Sequence, residues 1–380
     1  MQAIINGTIV LADRTVEGKA LLFNEKIAGV VPASEIPAGS EIIDAEGGYV
    51  IPGLIDMHIH GYLGEDASDG SFDGLRVMAE GVAKNGVTSF LPTTMTVSYA
   101  ELRAAFDQIR RGVTESAAPG WNGAQILGVN AEGPFINPGK KGAQAGENIR
   151  PGDAAFLKEH LDIIRVFTIA PEMPGNMDCI REMAGKTLIS MGHTGATYDQ
   201  AHAAIEAGVG HVTHLFNAQT GLMHRDPGVV GAALTDERVS TELIADTFHV
   251  SPHLFPLVSR VKGDKLVLIT DCTRAGGLAD GEYTLGGQPI FVKGIECRLA
   301  DGTIAGSVLR LNHAVRNLLA NTDLPVWEAV NAASLNPAKR IGVADRKGSI
   351  EAGKDADIAI CDEAFNIRRT IVGGRSIHIA

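Results

Sequence analysis

The sequence predicts an α/β chain: a (β/α)8 TIM-like barrel with a small β-sandwich domain formed from both termini. Three observations carry this. Short apolar runs alternate with amphipathic stretches through the middle of the chain. Both ends instead carry short β-like pieces separated by tight turns, with no helical period. No Gly-rich dinucleotide loop follows a strand-like run, which argues against the competing doubly wound open sheet.

The N-terminal part, residues 1–52, reads as short strands: Ala3 to Ile5, Thr8 to Leu11, Lys19 to Phe23 and Ile27 to Val31. Turn signals such as Asn6-Gly7 and Pro37-Ala38-Gly39 separate them. The C-terminal part, residues 342–380, has the same texture, with strands expected at Lys347 to Ile350, Ala356 to Ile360 and Arg369 to Val372. Between them, residues 53–341 supply the barrel. Its strands are predicted at Leu54 to His58, Val87 to Leu91, Ile126 to Ala131, Ile163 to Ile169, Thr187 to Met191, His211 to His214, Thr241 to Ala245 and Lys265 to Thr270. Helices are predicted between them, among them Leu75 to Lys84, Tyr99 to Gly112 and Tyr198 to Ala207.

Bulk properties narrow the function. The 380 residues are 45% hydrophobic and 21% charged, an ordinary globular balance. Lys+Arg 33 against Asp+Glu 45 gives a net charge of −12, which argues against nucleic-acid and anionic-membrane partners. Cys179, Cys272, Cys297 and Cys361 are scattered without a CxxC pair, as in reduced intracellular proteins. With no leader-like N-terminus and no long apolar run, the expected location is the cytoplasm.

Chemistry in such a barrel sits at the C-terminal ends of the strands. The first strand ends in Asp56-Met57-His58-Ile59-His60. Its two histidines, at i and i+2, point the same way and form a pair of potential metal ligands. The third strand ends in Glu132-Gly133-Pro134, the fourth in Ala170-Pro171-Glu172, the fifth in Gly192-His193-Thr194 and the sixth in His214. The seventh leads to Asp246-Thr247-Phe248-His249 and the eighth ends in Asp271. Imidazoles and carboxylates without a thiolate suit a catalytic divalent metal: zinc first, with iron(II), manganese or cobalt as alternatives. Glu172 is expected to be structural, His211 and His202 to be packed or exposed rather than ligating, and His253 to lie on the surface.

Longer blocks join these strand ends. They include Pro52-Gly53-Leu54-Ile55-Asp56-Met57-His58-Ile59-His60-Gly61, Ala131-Glu132-Gly133-Pro134-Phe135, Lys140-Lys141-Gly142-Ala143, Val212-Thr213-His214-Leu215-Phe216-Asn217-Ala218 and Arg225-Asp226-Pro227-Gly228. Further on come Ile269-Thr270-Asp271, Ala305-Gly306-Ser307 and Asp345-Arg346-Lys347-Gly348-Ser349-Ile350. On these blocks, over nearly its whole length, the chain resembles the amidohydrolase superfamily and, within it, the N-acetylglucosamine-6-phosphate deacetylase family. The His-x-His start is shared widely in the superfamily; the Glu-Gly-Pro-Phe and His-Leu-Phe-Asn-Ala blocks are much more specific.

The resemblance implies roles. Glu132, His193 and His214 would hold the main metal, and His58 with His60 leaves room for a second, so one or two ions are expected. Asp271 would be the general acid/base. Asn217, Ala218 and Arg225 would bind the sugar phosphate, while Ala143, Asp246, His249, Ile304, Ala305 and Gly306 would contact substrate. The implied reaction removes the acetyl group from N-acetylglucosamine 6-phosphate, with N-acetylgalactosamine 6-phosphate as the alternative, and the implied assembly is a homodimer. Lys140 and Lys141 either add local positive charge or form a solvated pair. The chain departs from the family at Gln144, where His is usual: glutamine donates a hydrogen bond but cannot become charged. Thr194, Thr247 and Cys272 also depart, and all these changes lie around the substrate rather than among the metal ligands.

Overall fold

A computed structural model describes residues 1–380. The middle of the chain winds eight parallel strands around a barrel axis: Leu54–Ile59, Val87–Thr94, Val129–Phe135, Ile164–Ile169, Leu188–Met191, His211–Val212, Ser240–Ile244 and Leu266–Ile269. Each pairs with the next in sequence order, and a short strand, Gln125–Ile126, adds to the second. The ring closes between the eighth and first strands. The Asp271 N–H donates to the His58 carbonyl and the His60 N–H to the Cys272 carbonyl, each at 2.9 Å. The Thr270 hydroxyl also donates to the Asp56 carboxylate at 2.6 Å. The predicted barrel is thus present, strand for strand.

Local signals explain the outer helices. Tyr99–Ser116 starts at a capping box, in which the Ser98 hydroxyl accepts from the Glu101 N–H and the Glu101 carboxylate accepts from the Ser98 N–H. Its Leu102, Ala105, Phe106 and Ile109 recur at helical spacing and are buried against the barrel. Tyr198–Ala207 has the same device at Thr197 and Gln200 and stops at Gly208.

Two sheets from the termini form the small domain. One runs Ile27–Pro32, Lys19–Phe23, Gln2–Ile5, Glu41–Asp44; the other runs Arg375–Ile379, Ile367–Val372, Ile358–Cys361, Tyr49–Pro52, Thr8–Val10, Thr15–Val16. Leu21 and Phe23 of the first share one apolar core with Val50, Ile358 and Ile371 of the second. The expected strand at Lys347 to Ile350 is absent: these residues form a bend. Gly348 has φ +87° and packs so closely that a Cβ would meet Ala338 and the Ser334 carbonyl. The adjacent Lys347 turns inward to a buried ion pair with Asp357 at 2.5 Å.

A three-stranded antiparallel sheet, Gly281–Leu285, Gln288–Lys293 and Glu296–Leu299, follows the eighth barrel strand and is additional to the predicted elements. Its Leu285, Ile290 and Cys297 pack with Met95 and Ala143 over the barrel mouth. The Gln288 amide donates to the Ala143 carbonyl at 2.7 Å. Gly286-Gly287 between alternating residues is the signal that marks this hairpin in the sequence.

Candidate metal centre

Strand alternation sets the floor of the mouth. In the first strand, Met57 and Ile59 join the hydrophobic layer, while Asp56, His58 and His60 take the other face and are buried. At the ends of the fifth, sixth and eighth strands the backbone turns left-handed, with φ +47° at His193, +26° at His214 and +51° at Asp271. Such conformations cost about 1–3 kcal/mol each for non-glycine residues and concentrate at functional sites. Here they aim three polar side chains inward.

Two sets of donor atoms result: His58, His60 and Asp271, and Glu132, His193 and His214. In the second, Glu132 Oε1 lies 3.1 Å from His193 Nε2 and 3.0 Å from His214 Nε2. In the first, Asp271 Oδ1 lies 3.2 Å from His60 Nε2 and 3.5 Å from His58 Nε2. Glu132 joins the sets, since its Oε2 is 3.1 Å from His60 Nε2. The Nδ1 atoms all face outward to fixed acceptors: Glu242 for His58 at 2.9 Å, the Thr93 carbonyl for His60 at 3.1 Å, the Lys140 carbonyl for His193 at 2.8 Å and the Asn217 carbonyl for His214 at 3.1 Å. Four imidazoles therefore present Nε2 to one centre, and with two carboxylates they fit one or two divalent ions.

The charges are poised for this. Burial works against charge on His58, but Glu242 and Glu132 outweigh it and push the imidazole up to about 9. Burial likewise opposes charge on His60 and His214, and their carboxylate neighbours again raise both. Burial raises Asp271, yet the hydrogen bond from His60 and the charge of His58 hold it below the usual carboxylate range. A proton on one of these imidazoles competes with an ion for the same Nε2, so ion entry must expel it. Metal affinity is therefore expected to rise with pH below about 9, where His58 is still protonated without an ion. Calorimetric titration with Zn2+ in buffers of different ionisation enthalpy should count the released protons, and a pH-independent affinity would contradict this.

Above the floor is a pocket of about 390 Å³. Of the predicted residues, His60, Glu132, His193, His214 and Asp271 line its base, with Ala143, Asn217, Ala218, His249, Ile304 and Gly306 on its walls. His58 lies just beneath. Asp246 stands behind His249, accepting its Nδ1–H at 2.6 Å and orienting it. Ala305 is buried beside the lining, bonded through its backbone to Cys297. Arg225 is on an exposed loop and is not brought to this pocket. Glu172, as expected, is structural: it accepts from Asn137, Thr194 and the Gly195 N–H. His211 is packed, and His202 and His253 are exposed.

The sequence reading missed Met95, Leu285 and Thr303 as lining residues. It also missed Glu242, whose only signal is a charged residue inside a predicted barrel strand. Gln144 lines the pocket, but its amide is engaged: Nε2 donates to Glu132 Oε2 at 2.6 Å and Oε1 accepts from the Thr96 N–H at 2.6 Å.

The chain matches the amidohydrolase family over residues 49–377 and belongs to it. Membership implies a divalent metal, which the donor sets above fit. Among curated relatives, it is 40% identical to N-acetylglucosamine-6-phosphate deacetylase of Bacillus subtilis, covering 90% of this chain and 88% of the relative. It is 38% identical to N-acetylgalactosamine-6-phosphate deacetylase of Escherichia coli, covering 91% and 92%. The crystal structure of N-acetylglucosamine-6-phosphate deacetylase from Pasteurella multocida superposes with TM-score 0.93 at 33% identity, over the full length of both chains. A mutant of the Mycobacterium smegmatis deacetylase in complex with N-acetyl-D-glucosamine-6-phosphate superposes with TM-score 0.91 at 28% identity over 99% of each chain.

Proposed function

We propose that this chain hydrolyses the N-acetyl group of N-acetylglucosamine 6-phosphate, giving glucosamine 6-phosphate and acetate. The observation that carries the reading is the pair of donor sets, one holding Asp271 and the other Glu132, brought together by the Glu132–His60 contact at the base of a sugar-sized pocket. The relatives named above support the substrate class. A divalent ion held by Glu132, His193 and His214 supplies Lewis acidity, with zinc the first candidate and iron, manganese or cobalt the alternatives; His58 and His60 provide for a second ion. Asp271, kept ionised by its histidine neighbours, takes a proton from water as the water oxygen bonds to the amide carbon. As the C–N bond breaks, Asp271 delivers that proton to the sugar nitrogen, since an amine leaves poorly without it. Assays with N-acetylglucosamine 6-phosphate and its galactosamine epimer, with metals quantified, test this. Faster turnover of the glucosamine compound is expected. Preference for the epimer would favour the alternative substrate, and hydrolysis of neither would end the proposal.

The phosphate needs a cation. Lys140 lines the pocket, and its Nζ lies 3.4 Å from the Gln219 carbonyl, next to Asn217 and Ala218. Arg225 is exposed, and so are its neighbours Leu222 at 48% and Met223 at 62%. That exposure supports a homodimer in which Arg225 serves the neighbour's pocket. A guanidinium binds phosphate with two parallel hydrogen bonds. Arg225→Ala should therefore raise KM for the phosphorylated sugar about 10–100-fold, as losing a charge-assisted contact costs about 1.5–3 kcal/mol. It should leave the weak turnover of unphosphorylated N-acetylglucosamine unchanged. Equal losses on both substrates would contradict a phosphate role. A soluble cytoplasmic location completes the reading; no helix is long and apolar enough to cross a membrane.

A further inference from the structure

Glu242 lies on the seventh barrel strand, fully buried beneath the pocket floor and outside both donor sets. A carboxylate there is costly unless donors satisfy it. It has three. Its Oε2 accepts from His58 Nδ1 at 2.9 Å and from the backbone N–H of His214 at 2.9 Å. Its Oε1 accepts from His211 Nε2 at 3.2 Å, and His211 is anchored in turn on Ser240 Oγ at 2.6 Å. Glu242 therefore touches one member of each set: the ring of His58, and the backbone of His214 where φ is +26°. The other three ligand histidines rest on backbone carbonyls, so His58 alone has a partner that substitution can remove.

We propose that Glu242 is the positioning residue that couples the two ion sites. It fixes His58 as the Nδ1–H tautomer with Nε2 toward the centre, and it holds the turn from which His214 reaches inward. The inference rests on the metal-centre reading and deepens it. In Glu242→Leu the volume is nearly kept but both acceptor oxygens are lost, so His58 Nδ1, the His214 N–H and His211 Nε2 all lose their partner. Outer partners of metal ligands typically control affinity by 10–100-fold.

The test is Zn2+ binding to full-length wild-type and Glu242→Leu protein, by competition with a chelator and by elemental analysis. The variant should bind Zn2+ about 10–100-fold more weakly. It should also lose kcat but not KM, with activity recovered by excess Zn2+. A folded variant with wild-type affinity overturns the proposal. Should the variant not fold, nitrogen-15 histidine spectra of the Zn2+-loaded wild-type protein decide: His58 must carry its proton on Nδ1, and a proton on Nε2 overturns the proposal. Wild-type protein that binds no Zn2+ sinks the metal centre itself, an outcome distinct from either.

Discussion

Asp271→Asn protein is expected to lose about 10²–10⁴-fold in kcat, the range that a positioned general acid/base contributes. Asparagine keeps the shape and an acceptor oxygen, so the 3.2 Å contact to His60 has a counterpart in the variant. What it lacks is a site for the proton that must pass from water to the sugar nitrogen. The loss should therefore fall on kcat and leave KM for N-acetylglucosamine 6-phosphate nearly unchanged. Elemental analysis should accompany the kinetics, because Asp271 also belongs to the donor set with His58 and His60. Hydrolysis at the wild-type rate would remove Asp271 from the chemistry.

Glu132→Ala should have the largest effect on metal content. Its carboxylate contacts His193 and His214 through one oxygen and His60 through the other. Removing it takes an anionic donor from the main set and leaves the Gln144 amide without its acceptor. An ion that binds only the folded protein at 100 times its Kd adds about 2.7 kcal/mol of stability. Added Zn2+ should thus raise the melting temperature of the wild-type protein and fail to raise that of Glu132→Ala, whose activity should be undetectable. Equal metal content in the two proteins would exclude Glu132 as a ligand.

The parts of this molecule legible in its sequence are those with a strong local period or a chemical signature. The barrel strands are buried apolar runs, and the helix Tyr198–Ala207 is bracketed by a Thr197 cap and Gly208. The donor residues announce themselves because His and Glu are unusual at the ends of apolar strands. Glu242 was hidden for the opposite reason: its role comes from strand neighbours far away in sequence. Lys347 to Ile350 misled because a β-like composition says nothing of the tight backbone packing at Gly348. Arg225 marks another limit, since it lies on an exposed loop and does not line its own pocket.

The small sheet over the barrel mouth has a consequence for how this enzyme can change. The ligands are gathered from strands spread between His58 and Asp271, and each depends on ring closure of the whole barrel. The pocket wall at Leu285 belongs to hairpins formed wholly within Gly281–Leu299, and Thr303 and Ile304 follow directly after. Local loops tolerate altered length at little entropic cost. The pocket wall at Leu285, Thr303 and Ile304 is thus encoded in a stretch of chain separable from the ligands. Selection can retailor the first without passing through a protein that has lost the second.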